Sequence, residues 1–263
     1  MPDRLDFHNH VIPNVDDGSP TLDVSLGAIE TMHAQGIGDI IASPHLRASH
    51  LRAGKKWDEY AARVDSMWEV LRTTAARSPV RLHRGFEILL DEPTIDLSNP
   101  LLRLAGSNFV LVEFPFEFIP PHSADALFNI RVQNRYPIVA HPERYLDVQQ
   151  SPGRVVDWLR VGAHLQSNAG SFVGHYGRAP ERIAWHLLKA GVISYVCSDY
   201  HATGPCHTAA AARRIERRYG KEIVNLLFSE NPRRILRNEP PLPVSPKPRG
   251  FFSGLIKKRN RNA

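Results

Sequence analysis

The chain has 263 residues, 42% hydrophobic and 23% charged, with a formal charge of +6. That composition suits one large folded core, and with no run of 18 apolar residues it excludes a membrane-spanning helix. The charged start MPDRLDFHNH and two cysteines, Cys197 and Cys206, lead us to expect no secretory leader, no disulfide framework and a cytoplasmic location. The charge is unevenly placed: from Pro241 onward, Lys247, Arg249, Lys257, Lys258, Arg259 and Arg261 stand without an acid and account for all of it. A near-neutral body over residues 1–240 counts against a nucleic-acid partner.

In chain order, β-like runs fall at Leu5–Val11, Gly38–Ser43, Val80–Ile88, Phe109–Phe114, Pro137–Ala140, His164–Asn168 and Ile193–Ser198. Helix-like stretches lie between and after them: Leu22–Gln35 (opened by Thr21 and stopped by Gly36), Trp57–Ala76, Ala124–Gln133, Val155–Val161, Pro180–Ala190 and Ala209–Tyr219. Strands alternating with helices predict an α/β fold with a parallel sheet, and we expect it closed into a barrel. One domain over 1–240 is expected, with 241–263 a Pro-rich, then basic, flexible tail. Within that tail FFSGLIKK offers a weak membrane or partner contact, against the plainer reading of a solvated end.

The C-terminal ends of these strands carry the chemistry. The first runs into His8-Asn9-His10, two imidazoles that alternate onto one face. The second leads to His45, the third to Glu87, the fourth to Glu113, the fifth to His141 and Arg144, the seventh to Asp199 and His201. Six of seven strands thus end in His, Asp or Glu, at the face where barrels place their active sites. There are more ligands than one ion uses and no thiolate among them, which suits two or three Mn²⁺, Fe or Zn²⁺ ions sharing a carboxylate. Clustered cations clamp an in-line displacement at phosphorus and bring the pKa of water to about 7. Arg144 adds a planar fork for two phosphate oxygens, the alternative being a surface salt bridge with Glu143.

The segments HNHVIPNVDDG, ASPHL, GFEILL, LVEFPF, VAHPERY, NAGSFVGHYG and SDYH resemble, in order, the motifs of the polymerase-and-histidinol-phosphatase (PHP) family. Within it they resemble the bacterial manganese-dependent protein-tyrosine phosphatases of capsule and exopolysaccharide loci, over about residues 5–240. The resemblance implies a distorted (β/α)₇ TIM-like barrel with three divalent ions, Mn²⁺ first, Fe or Zn²⁺ as alternatives. His8, His10, Glu87 and Asp199 would hold one ion; Glu87 would bridge to a second, completed by Glu113 and His141; Asp17, His45 and His201 would hold the third. Arg144 would bind phosphate, with Arg144, Glu113 and Asp199 the candidate catalytic residues. A metal-bound hydroxide would attack phosphorus on the phosphotyrosine tail of a membrane-linked tyrosine autokinase. A PHP phosphoesterase acting on histidinol phosphate, a nucleotide or a nucleic-acid end is the alternative. Asp16 is left out of the ligand set as a turn residue before Gly18.

The likeness departs at one point. The family often carries an arginine shortly after the last D-x-H motif, where SDYHATGPCHTAAAARR has Cys206 or His207. Arg213 and Arg214 follow on an expected helix. Cys206 and Arg213 do not make a cysteine-phosphatase loop, since four alanines between them read as helix. Histidines 33, 50, 83, 122, 164, 175, 186 and 207 are expected outside the centre, with His175 the one nearest its mouth.

Overall fold

The computed structural model describes residues 3–247. The FFSGLIKK segment and the last basic residues therefore lie outside the described part. Nine parallel strands form: β1 (Arg4–Asp6), β2 (Ile37–Ala42), β3 (His45–Arg47), β4 (Arg81–Arg84), β5 (Glu87–Leu89), β6 (Phe109–Glu113), β7 (Tyr136–Ala140), β8 (His164–Asn168) and β9 (Tyr195–Cys197). Nine α-helices accompany them: α1 (Leu22–Ala34), α2 (Lys55–Thr74), α3 (Ser123–Val132), α4 (Leu146–Gln150), α5 (Val155–Arg160), α6 (Arg178–Lys189), α7 (Thr208–Tyr219), α8 (Lys221–Asn225) and α9 (Asn231–Leu236).

Seven expected strands become nine because two are interrupted. Between β2 and β3 stands Pro44, which lacks the N–H a ladder needs. Between β4 and β5 stands Gly85, where a Cβ would lie 3.0 Å from the Leu104 Cα. Pairing continues across both gaps, Gly85 N donating to Ala42 O at 2.8 Å and Glu87 N to Pro44 O at 3.0 Å. The ladders run β1-β2-β4 and β3-β5-β6-β7-β8-β9. Between the first and seventh strands, Asp199 N donates to His8 O at 2.8 Å and His10 N to Tyr200 O at 3.0 Å. The buried Asp6 carboxylate adds a bond from Ser198 N at 2.7 Å. The seven strand segments so follow one another in chain order around a distorted barrel.

Alternation along the strands divides the core in two. Phe109, Leu111, Ile138, Ala140, Tyr195 and Cys197 pack together inside with Leu5 and Phe7. Their neighbours Val110, Val112, Val139 and Val196 face outward into the larger core shared with the helices. Strands buried on both faces are what a parallel sheet under a helical layer requires. Thr21 caps α1 through its hydroxyl, accepting from Val24 N at 3.3 Å, and Gly36 ends that helix in the left-handed region at φ 86°.

The chain beyond Tyr219 closes the floor. Ile235 of α9 joins the inner core, and the Asn231 amide bonds Ser194 O and Leu242 O, both at 3.0 Å. Of the Pro-rich segment, residues 241–247 are described: Leu242 N bonds Asn231 Oδ1 at 2.8 Å and Val244 is buried. Among the described residues no helix is long and apolar enough to cross a membrane.

Candidate metal centre

The strand ends converge at one mouth. His8 and His10 project beside the β9 end, and Glu87 lies at the centre of the group. Glu87 Oε1 is 2.9 Å from His8 Nε2 and 3.0 Å from His141 Nε2. Glu87 Oε2 is 3.1 Å from His45 Nδ1 and 3.6 Å from His10 Nε2. Asp199 Oδ1 lies 3.2 Å from His8 Nε2, 3.4 Å from His10 Nε2 and 3.6 Å from His201 Nδ1. Glu113 is 3.2 Å from His45 Nδ1 and 3.6 Å from His141 Nε2. Asp17, the most exposed member with its side chain 70% accessible, faces His45 Nε2 at 3.4 Å and His201 Nε2 at 3.5 Å. All nine expected ligand positions therefore meet in one place.

Several local features aim these side chains. His141 (φ 34°) and Asp199 (φ 52°) sit in the left-handed region, an arrangement costing about 1–3 kcal/mol for non-glycine residues and concentrated at functional sites. Gly18 permits the DDG loop to fold back on His10, since a Cβ there would lie 2.2 Å from His10 O. Arg144 follows His141 on a short 3₁₀ turn and bonds Asp199 Oδ2 at 2.8 Å. Its guanidinium is sandwiched between Phe116 and Tyr176, 4.5 and 4.3 Å from their ring centres.

Burial makes this cluster costly as bare side chains. Desolvation opposes charge on His8, yet the Glu87 and Asp199 carboxylates outweigh it and hold its pKa well above the ordinary value. For His10, the Asp16 and Asp199 carboxylates overcome burial and raise it to about 9. For His45, Glu113 and Glu87 do the same, to about 11. Burial likewise pushes Glu87 and Asp199 up, and their imidazole neighbours, His8 foremost, bring both well below the carboxylate range. His201 moves the opposite way from His8, His10 and His45, down, through burial and the neighbouring His10.

Opposite charges thus hold the cluster together through protons on imidazoles, the positions a divalent cation would take over. Buried His8 Nε2, His10 Nε2 and Glu87 Oε2 lie near these opposite charges without hydrogen-bond geometry to any of them. Four overlapping sets have donor atoms within 4.8 Å of one another: His10–Asp17–His45–His201, His8–His141–Asp199, His8–His10–Glu87 and His45–Glu87–Glu113. Unpartnered, inward-facing atoms and a nitrogen–oxygen donor set fit divalent metal ions.

The mouth also holds residues that strand-end reasoning missed. Asp16 makes the expected turn, accepting from Gly18 N at 3.0 Å, but its other oxygen accepts from His45 N and sits 2.8 Å from His10 Nδ1. Gln166 and Asn168, two apart on β8, bond His8 and Asp199. Two polar residues on one face of a buried strand were the available signal. Glu143 is no surface partner of Arg144: it is fully buried and accepts from Asn168 N and the Ser171 hydroxyl. His175 and His207, ring centres 4.5 Å apart, line a cleft with Arg144, Tyr176, Asp199 and His201. His207 thereby stands at the mouth, against the expectation. Arg213 and Arg214 lie on α7, where Arg214 pairs with Glu181 at 2.9 Å. Cys206 is buried, and burial pushes its thiol pKa up, away from a nucleophilic thiolate.

Known proteins point the same way. The family model "Capsular polysaccharide synthesis, CpsB/CapC" matches residues 4–237. The tyrosine-protein phosphatase YwqE of Bacillus subtilis is 30% identical over 258 residues, covering 94% of this chain and all of that one. The tyrosine-protein phosphatase CpsB of Streptococcus agalactiae serotype III is 27% identical, covering 89% and 98%. A crystal structure from work on YwqE and on CpsB of Streptococcus pneumoniae, described as metal-dependent tyrosine phosphatases, superposes with a TM-score of 0.75. It shares 25% identity and covers 94% of this chain and 99% of that one. This chain belongs to the CpsB/CapC capsular polysaccharide synthesis family.

Proposed function

We propose that this chain is a metal-dependent protein-tyrosine phosphatase. The observation that carries the reading is the mouth where nine potential metal donors, Glu87 at their centre, come together with Arg144 on the rim. The names of the relatives add the phosphotyrosine substrate. His8, His10, Glu87 and Asp199 would hold one divalent ion, Glu87, Glu113 and His141 a second, and Asp17, His45 and His201 a third. Mn²⁺ suits this nitrogen–oxygen set, and Fe or Zn²⁺ is compatible with it. Such ions acidify water and stabilise the charge of an in-line displacement.

The chain's own residues do the rest. Arg144 offers two N–H groups of its planar fork to the phosphoryl oxygens, and its packing against Phe116 and Tyr176 holds the fork in place. Asp199 Oδ2 holds Nη1 at 2.8 Å, orienting the fork. A bond forms between water oxygen and phosphorus, the bond to the phenolic oxygen breaks, and that oxygen leaves with a proton as tyrosine. No side chain becomes phosphorylated. Clefts open on both sides of Arg144, one lined by Phe116, Leu146 and Arg178, the other by His175, His201 and His207. A peptide crossing the mouth would lie along them.

The substrate we infer is the phosphotyrosine tail of a membrane-linked bacterial tyrosine autokinase controlling capsule or exopolysaccharide production, met in the cytoplasm. The phosphoesterase domain is residues 1–240. Phosphate release from a phosphotyrosine peptide, measured beside histidinol phosphate with Mn²⁺ and with chelator, tests the reading. Mn²⁺-dependent release from the peptide is expected; turnover of histidinol phosphate alone would replace the substrate assignment.

A further inference from the structure

A buried chain of hydrogen bonds joins two of the expected ligands from behind. Asn168 Nδ2 lies 2.6 Å from Asp199 Oδ2, Gln166 Nε2 lies 3.0 Å from Asn168 Oδ1, and Gln166 Oε1 lies 2.8 Å from His8 Nδ1. His8, Gln166 and Asn168 are fully buried, so water does not interrupt the series.

The polarity of this series follows from one end. An ionised carboxylate only accepts hydrogen bonds, so Asn168 must present its NH₂ to Asp199. Its carbonyl oxygen then faces Gln166 and must receive an N–H. Gln166 spends its NH₂ there, which leaves its carbonyl oxygen toward His8. That oxygen needs a donor, so when His8 is neutral, as a metal-ligating imidazole must be, its one proton belongs on Nδ1. The bare nitrogen is Nε2, which points at Glu87 Oε1 and Asp199 Oδ1, 2.9 and 3.2 Å away. Glu143 anchors the series from behind, accepting from Asn168 N at 2.8 Å and from the Ser171 hydroxyl at 2.7 Å.

We infer that Gln166 and Asn168 are positioning residues that set His8 in its Nδ1–H tautomer, preparing Nε2 as a metal donor and tying that choice to the orientation of Asp199. The inference rests on the metal-centre reading above. It assigns a role to two fully buried polar side chains, each of which would otherwise be a costly burial.

The test uses the full chain loaded with Zn²⁺, which is diamagnetic. Gln166→Leu removes the acceptor from His8, whereas Gln166→Glu keeps an acceptor there. Competition with a chromophoric chelator should show Zn²⁺ affinity falling about 10–100-fold in Gln166→Leu and staying near wild type in Gln166→Glu. Long-range ¹H–¹⁵N spectra should show the His8 proton on Nδ1 in the wild type. A His8 proton on Nε2, or a folded Gln166→Leu with wild-type affinity, overturns the relay. If Gln166→Leu does not fold, Gln166→Met takes its place in the competition, with the same loss of affinity expected and wild-type affinity again overturning the relay. A wild-type chain that binds no Zn²⁺ overturns the metal reading itself, and the relay with it.

Discussion

The two ends of the barrel are built from the same strands and treat histidine in opposite ways. At the floor, His164 opens β8 among Phe109, Tyr136 and Tyr195, with ring centres 6.3–6.4 Å away. Burial there, helped by Arg131, pushes its pKa down to about 4, so it stays neutral. At the mouth His45, half-buried, is pushed by Glu113 and Glu87 up to about 11. Burial alone therefore does not set a histidine's charge; the carboxylates that share its pocket do. The floor packs apolar rings and carries stability, while the mouth gathers mutually attracting ionisable groups spaced so that they could hold cations.

Mutations at the two ends should separate these roles. The largest effects belong to the mouth: Asp199→Ala and His141→Ala should each lower turnover by about 10³-fold or more and reduce bound metal, read by phosphate release and elemental analysis. At the floor, Phe109→Ala should cost about 3–5 kcal/mol in a urea titration while the metal content of the folded fraction is kept. Arg144→Ala, on the rim, should lower kcat/KM by roughly 10–100-fold without loss of metal. A change confined to KM would mean that it binds ground state and transition state alike.

The smallest effect is a pH slope. The folded pKa of His164 is about 4 against an ordinary 6.5, so the unfolded chain takes up the proton first. Its contribution is fully present above pH 6.5 and is lost as pH falls toward 4. Allowing for solvent screening, that is roughly 1–3 kcal/mol. His164→Asn should shrink the loss of urea midpoint between pH 7 and pH 5, measured with the metal chelated.

Much of this contrast is legible in the sequence. The helix at Leu22–Gln35 was marked by its Thr21 cap and Gly36 stop, and strands ending in His, Asp or Glu mark the mouth. Local pattern does not reveal what depends on distant partners. Leu5–Val11 reads as one strand, but regular pairing ends at Asp6, whose carboxylate accepts from His8 N and Ser198 N. Pro232 occupies the first turn of α9, the helical position that tolerates proline best. Asp16 reads as a turn and is one; its second oxygen finds His10 only because Gly18 brings the loop back.

The most direct test of the central claim is the number of metal ions bound per chain, measured by elemental analysis after loading with Mn²⁺ and removing the excess. The account predicts two or three ions in the wild type and fewer in Asp199→Ala. One ion or none in an active wild-type protein would contradict it.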